Sequence, residues 1–275
     1  MKQVIILLAG ISMCLTGLAQ TDSTQTESDT IRVGGMIIIK KHDRDKDNNN
    51  EAKTYHRKGK SSRLSTNWWI VDLGFANYND HTDYKSNDIQ NINGGFAPGL
   101  GKDQFKLRTG KSVNVNIWAF MQKLNVIKGI VNLKYGLGVE LNNYRYKQPI
   151  LYHTSPTQVV LDNTRNYSKN KLAADYITIP LMLNFNFTPH RKKGFGFSVG
   201  ASGGYLYSSR QKTITNIDGK QKEHDDFDLQ QWKLSYIAEL SLGPVKLYGS
   251  YAAESMFERG LDQRPYNFGL RLSNW

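Results

Sequence analysis

The side chains that could do chemistry are dispersed along this sequence. Histidines occur at His42, His56, His81, His153, His190 and His224. An acyl-transferring or acyl-hydrolysing enzyme would need a histidine within hydrogen-bond reach of a serine nucleophile. Only His81, His153 and His224 fall in the loops that we predict to be extracellular, where they lie near Ser86, Ser155 and Asp225-Asp226 in the sequence. Because no motif sets the geometry of these groups, we predict a non-catalytic protein and keep the acyl-modifying enzyme as an alternative.

Metal, cofactor and thiol chemistry are not expected either. His42, Asp43, Asp45 and Asp47 could be imagined around a cation, but Arg44 and Lys46 alternate with them and would repel it. The one cysteine is Cys14, which lies in a segment that we expect to be removed on export. The sequence therefore predicts no metal site, no cofactor and no disulfide.

The charge balance is strongly basic. Lys and Arg total 36 against 24 Asp and Glu, a formal net charge of +12. Such an excess suits anionic lipid, a phosphorylated glycolipid or nucleic acid. The short basic clusters at 57–60 and 190–193 are accompanied by no recognition helix and no zinc-finger spacing. Solvated loops explain this charge more simply than nucleic acid does, so we expect no nucleic-acid partner. Outer-membrane lipid and lipopolysaccharide are the expected partners.

The first residues have the pattern of an export signal. Lys2 is followed by an apolar stretch too short to span a bilayer, and Gly17-Leu18-Ala19 matches the small-x-small cleavage pattern. Residues 1–19 are thus predicted to be a signal peptide. An uncleaved anchor helix and a lipoprotein modified at Cys14 are the alternatives.

Residues 20–66 are predicted to form a mostly disordered polar tether. The segment is rich in Ser, Thr, Asp, Asn and Lys, and such a composition buries too little apolar surface to fold. One exception is the apolar run Met36-Ile37-Ile38-Ile39, which could form a strand.

From residue 67 the chain alternates between apolar and polar or small residues. Successive side chains of a strand face opposite sides, so this period of two predicts strands with unlike faces. Eight candidate strands result, most of them close to the roughly 9–11 residues that cross a bilayer at a tilt. They cover residues 69–76, 113–122, 131–142, 177–187, 195–208, 232–242, 245–254 and 266–273.

The connections between these strands alternate in length, which favours a membrane barrel over a soluble β-sandwich or a lipocalin-like barrel. Tight turns on one side and long loops on the other are typical of outer-membrane barrels. We predict an all-β, eight-stranded antiparallel transmembrane β-barrel over residues 67–275, in the outer membrane of a Gram-negative envelope. With an even number of strands, both barrel ends and the tether would be periplasmic. The loops near 79–111, 143–174, 209–231 and 258–264 would be extracellular.

Aromatic residues cluster towards the strand ends, where their rings would lie at the lipid headgroups. One predicted girdle contains Trp68, Trp69 and Trp275, and the other Tyr144, Tyr176, Tyr205, Tyr207, Trp232 and Tyr266. The loop at 143–174 carries Tyr144, Arg145, Tyr146, Tyr152, His153 and Tyr167. That set would suit contact with a protein or glycan partner.

The inward face of the barrel is predicted to hold an ionic network. An eight-stranded barrel has an interior just wide enough for side chains, and buried charges of opposite sign should pair there. The members would be Asp72, Lys134, Glu140, Lys233, Glu239, Lys246, Glu254 and Arg271. Inward Gly136, Gly138, Gly200 and Gly204 would leave room for the long basic side chains. A filled lumen is thus expected, with a narrow channel for a small solute as the alternative.

Three segments carry a resemblance to a known family. They are the signal end Gly17-Leu18-Ala19-Gln20, the glycine-rich strand at 194–207 and the terminal strand at 266–275. Residues 67–275 resemble the Bacteroidetes-type outer-membrane β-barrel proteins, the PorT-like porin-family barrels. The resemblance implies insertion by the barrel-assembly machinery, which reads a terminal aromatic such as Trp275, and a role in envelope structure, surface binding or secretion assistance. The sequence departs from the usual insertion signal in that Phe268, Leu270 and Leu272 are out of phase with Trp275; a bulge near Asn274 would reconcile them.

Overall fold

The computed structural model describes residues 30–33, 36–39, 63–189 and 194–273. The chain divides into two compact units, residues 1–61 and 62–275. The predicted signal peptide at 1–19 lies outside the described residues, and so do Asn274 and Trp275. No helix among the described residues is long and apolar enough to cross a membrane.

In the first unit, the described residues form a small antiparallel pair. Strand β1 (Thr30–Val33) pairs with β2 (Met36–Ile39), with Val33 opposite Met36. The apolar run that the sequence marked as a possible strand is therefore β2, within the segment predicted to be mostly disordered.

The second unit is a closed ring of eight antiparallel strands. These are β3 (Leu64–Asp80), β4 (Val113–Ile127), β5 (Val131–Arg145), β8 (Tyr167–Asn186), β9 (Phe195–Thr215), β11 (Trp232–Leu242), β12 (Val245–Ala252) and β13 (Gln263–Leu272). Neighbours in the ring are consecutive in the chain, β13 pairs with β3, and β8 pairs with β9. The predicted eight-stranded antiparallel barrel is confirmed, with its first strand beginning before the predicted residue 67.

The connections sort by length onto the two ends of the barrel. The short connections are 128–130, 243–244 and the one between Asn186 and Phe195, and the long loops are 81–112, 146–166, 216–231 and 253–262. The long loops contain a short helix α1 (Asn87–Gln90), a 3-10 turn (Thr109–Lys111) and the hairpin of β6 (Ile150–His153) with β7 (Gln158–Leu161). Strand β10 (Gly219–Glu223) extends the sheet beside β9.

The outer surface of the ring is a belt of exposed apolar side chains. Among its members are Leu73, Phe75, Ile177, Ile179, Leu181, Val199, Leu234, Leu247, Phe268 and Leu270. The alternate positions on the same strands are buried and mostly polar, among them Asp72, Asn114, Glu140 and Lys233. This is the inverse of a water-soluble fold, because the apolar face lies outside where hydrocarbon can cover it.

Strands β3 and β4 contain an irregularity that the alternation did not predict. Ala119 forms a bulge against β5, where Trp118 pairs with Gly138 and Phe120 with Leu137. Opposite it, Trp69 has a positive φ of 56°. A bulge reverses the side-chain phase beyond it, so Met121, expected on the outer face, points into the lumen and is fully buried.

Candidate functional site

The first half of the lumen network is a chain of charged groups that centres on Arg271. Its Nε and Nη2 donate to the Oδ1 and Oδ2 atoms of Asp72, each at 2.7 Å. Its Nη1 also donates to Glu239, whose carboxylate accepts two bonds from Lys134 Nζ at 2.7 and 2.8 Å. Bidentate pairs of this kind are the strongest charge-assisted hydrogen bonds. All four side chains are almost wholly buried.

The second half lies between Lys233 and Glu140. Lys233 Nζ donates to Glu140 Oε1 at 2.6 Å, and the same oxygen accepts from the amides of Asn142 at 3.0 Å and Asn267 at 3.1 Å. Lys233 Nζ also lies 4.2 Å from the ring centre of Tyr176. Both charges thus have several partners, which offsets the large cost of burying them.

These ion pairs cross the lumen. Lys134 and Glu140 lie on β5, whereas Glu239 and Lys233 lie on β11, and these two strands are not neighbours in the ring. Tyr248 of β12 likewise donates to Asn114 Oδ1 of β4 at 2.5 Å. The interior is therefore bridged from wall to wall at several levels.

Two predicted members of the network have other environments. Lys246 is buried in the lumen as expected, but its Nζ donates to Ser273 Oγ at 2.5 Å. Glu254 is exposed in the loop 253–262. The prediction was wrong for Glu254, because β12 ends at Ala252 and the alternation beyond it has no strand to follow.

Apolar side chains fill the space beside the charges. Ile70, Trp118, Met121 and Met182 form a buried cluster in the lumen. A Cβ added at Gly138 would approach Trp118 Cε3 to 2.7 Å, and one added at Gly136 would approach Met121 Cγ to 3.0 Å. The space left by these two glycines is therefore occupied by the indole of Trp118 and the thioether of Met121, and not by the basic side chains that the sequence suggested. A cavity of about 30 Å³ that remains beside Trp118 and Arg271 has room for about one water.

The four long loops form a packed cap at one end of the barrel. Each contributes to one hydrophobic cluster, through Phe96, Tyr152, Phe227 and Phe257 among others. The Tyr152 and Phe257 rings stack at 6.1 Å, and Phe96 meets Phe257 edge-on at 5.5 Å. Backbone bonds join the loops as well, such as Val159 N–H to the Phe96 carbonyl at 2.7 Å. The cap is thus a second core, whereas the sequence predicted only extracellular loops at this end.

Four tyrosines belong to this core and not to a surface. Tyr144, Tyr146, Tyr152 and Tyr176 are each at most 2% exposed. The prediction of Tyr144 and Tyr176 as headgroup aromatics was wrong, because both lie on the inward phase of β5 and β8. Tyr146 and Tyr152 share a hydroxyl–hydroxyl bond of 2.8 Å. Of the predicted contact surface in this loop, His153 is exposed.

The other predicted girdle residues lie at the outer surface of the barrel where they are described. Trp68 and Trp69 are exposed near the short-turn end. At the long-loop end, Trp232 meets Tyr205 edge-on with ring centres 4.9 Å apart. Tyr207 is exposed beside them, and Tyr266 is half-buried. Trp275 lies outside the described residues.

A groove at the long-loop end holds the acid–base groups of the third loop. It measures about 500 Å³ and is lined by Ser208, Ser209, His224, Asp226 and Glu258 among others. Ser209 donates its hydroxyl to the carbonyl oxygen of Asp225. Within the part of the chain that the structure describes, no group of three or more acidic, histidine or cysteine side chains is placed to hold a metal ion.

Comparison with known proteins agrees with this architecture. The family described as "Outer membrane protein beta-barrel domain" matches residues 61–261. No curated protein matches the chain.

Proposed function

Because the chain belongs to the outer membrane β-barrel domain family, we propose that it is a non-catalytic outer-membrane protein with a closed lumen. Its long-loop cap would face the cell exterior. It would act through the exposed surface of that cap or through its N-terminal segment, in envelope structure, surface binding or secretion assistance. Of these three roles, a PorT-like relationship would imply assistance to secretion. Insertion would depend on the barrel-assembly machinery.

The wall-to-wall ion pairs carry the closed-lumen proposal. A diffusing solute would have to separate Lys134 from Glu239 and Lys233 from Glu140, and each separation takes a buried lysine away from its carboxylate. Breaking a buried pair costs about 3–5 kcal/mol. The cap adds a second barrier at one mouth.

Planar-bilayer recording tests this proposal directly. Purified barrel inserted into a phospholipid bilayer is expected to give no stable single-channel steps, under conditions in which a general porin does. Steps of constant amplitude from the wild-type chain would establish the alternative, a narrow channel for a small solute.

Orientation needs a separate experiment. The predicted mature chain has no cysteine, so Lys220→Cys in β10 and Lys128→Cys in a short turn each provide one label site on an exposed residue. A membrane-impermeant maleimide applied to intact cells should label the first variant and spare the second. The reverse pattern would place the cap in the periplasm.

Lipid modification is a second candidate, favoured only by the groove that contains His224 with Ser208 and Ser209. A hydrolase needs the serine bonded to its base, whereas Ser209 donates to a backbone carbonyl. Lipid A from cells that express the folded chain should therefore keep its acyl pattern. An altered pattern that His224→Ala abolishes would instead support the enzyme.

A further inference from the structure

A row of four cations crosses the outward face of the barrel wall near the long-loop end. Arg145 of β5 pairs in register with Lys171 of β8, Lys171 with Lys212 of β9, and Lys212 with Lys222 of β10. Directly opposed residues on neighbouring strands lie on one face, with Cβ atoms about 5 Å apart. We call these four residues the basic row.

The basic row faces away from the barrel axis. Asn170, Leu172 and Gln211, which alternate with its members, are buried against the cap, whereas Lys222 is exposed and Lys171 and Lys212 are half-buried. Lys169, Arg210 and Lys220 lie nearby on the same strands. The outward positions of these strand segments, as described, include one carboxylate, Asp175, and Arg210 already pairs with it.

This arrangement works against folding. Like charges directly opposite one another destabilise a sheet, and a chance distribution of surface charge would intersperse acidic residues. Four aligned cations therefore point to an anionic ligand that offsets their repulsion.

The distance of the basic row from the interfacial aromatic residues indicates which kind of anion can reach it. Tyr205, which pairs with Ile177, is one of the interfacial aromatic residues with Trp232. From Ile177 to Lys171 the strand rises about 20 Å, or about 15 Å along the barrel axis at the usual tilt. A phospholipid headgroup layer is only about 5–8 Å thick. The phosphates that reach the row must therefore be carried on a larger headgroup.

We propose that the basic row binds the phosphate groups of a phosphorylated glycolipid in the leaflet around the long-loop end. The row continues the wall that faces lipid, so a ligand anchored in the same membrane reaches it without leaving the bilayer. This inference rests on the proposed orientation, since it requires the leaflet that carries the glycolipid to surround the cap.

Binding of purified lipopolysaccharide to the barrel in neutral detergent micelles tests the site. Lys171→Gln, Lys212→Gln and Lys222→Gln together should weaken binding roughly a hundredfold, since each surface lysine contributes about a factor of five. The matched control, Lys102→Gln, Lys106→Gln and Lys111→Gln, removes equal charge from the exposed first long loop. It should change affinity less than threefold.

Two further measurements distinguish the outcomes. Without lipopolysaccharide, the row variant should unfold at a higher temperature than the wild type, because its like charges are gone; this also shows that the variant folds. Dephosphorylated lipopolysaccharide should bind weakly. Equal affinity of the row variant, or equal competition by phosphatidylglycerol in the same micelles or by polyglutamate, would overturn the proposal. The binding assay does not depend on orientation in cells, so its failure differs from a failure of the labelling experiment.

Discussion

At the scale of single residues, Arg271 joins the two acidic groups of one half of the lumen network. It contacts Asp72 and Glu239, and its guanidinium also lies over the Trp118 ring at 5.6 Å. Alternation alone placed Arg271 and both carboxylates on the inward face. Their partners depend on the positions of β3, β11 and β13 around the ring.

Arg271→Ala should therefore be strongly destabilising. The substitution leaves Asp72 without its cation and Glu239 with one of the two cations bonded to it, so the free energy of unfolding should fall by about 3–5 kcal/mol. Urea unfolding in micelles measures the change. Arg264→Ala on the same strand is the control, because its side chain is 39% exposed. If this variant lost more than about 1 kcal/mol of unfolding free energy, the loss in Arg271→Ala could not be attributed to a buried ion pair.

A glycine substitution tests the packing of the lumen. A Cβ at Gly138 would approach the Ile117 carbonyl oxygen to 2.6 Å as well as the Trp118 ring, whereas a Cβ at the lipid-facing Gly203 meets nothing within 4 Å. Gly138→Ala should cost about 1–3 kcal/mol through overpacking, and Gly203→Ala should be close to neutral. Equal unfolding midpoints for the two variants would show that the side chains around Gly138 are not closely packed.

At the scale of elements, the cap depends on contacts among loops that are far apart in the chain. Arg259 of the fourth loop bonds Asp228 of the third loop and the Thr157 carbonyl of the second loop. Each loop taken alone is a polar segment with a few apolar residues. Their density of aromatic residues was the one available signal that they pack together.

The buried tyrosines of the cap predict an alkaline transition. Burial raises the pKa of Tyr84, Tyr146 and Tyr152 above 10. Above pH 10 the unfolded loops lose these protons while the folded cap retains them, so the stability of the cap should decline as pH rises further. Tyrosinate absorbance should show a group of tyrosines that titrate well above pH 10, and Tyr152→Phe should make this group smaller. Complete titration near pH 10 in a folded barrel would contradict this burial.

At the scale of the whole molecule, ring closure removes every free strand edge from the membrane-spanning sheet. Pairing of β13 with β3 brings together the two ends of the 62–275 unit, so the barrel contains its own closing contacts. Open edges in hydrocarbon would leave backbone groups without partners, at several kcal/mol each.

A chain that lacks residues 20–61 should accordingly still form the barrel. Unboiled samples of this deletion variant and of the full chain should show the same shift in gel migration relative to boiled samples. A chain that lacks 263–275 provides the control, since it has lost β13 and should show no shift. Loss of the shift in the first variant would mean that the N-terminal segment is required for folding.

The sequence by itself determined the strand number, the antiparallel order, the lipid-facing and inward rows and the two classes of connection. These follow from the period of two and from connection length, which are local properties of the chain. The tertiary structure decided which charges pair across the lumen, since the side chains of β5 and β11 face each other there only once the ring is closed. It also turned Met121 inward through the bulge at Ala119, and it buried Tyr144 and Tyr176 beneath loops whose packing depends on contacts between distant segments.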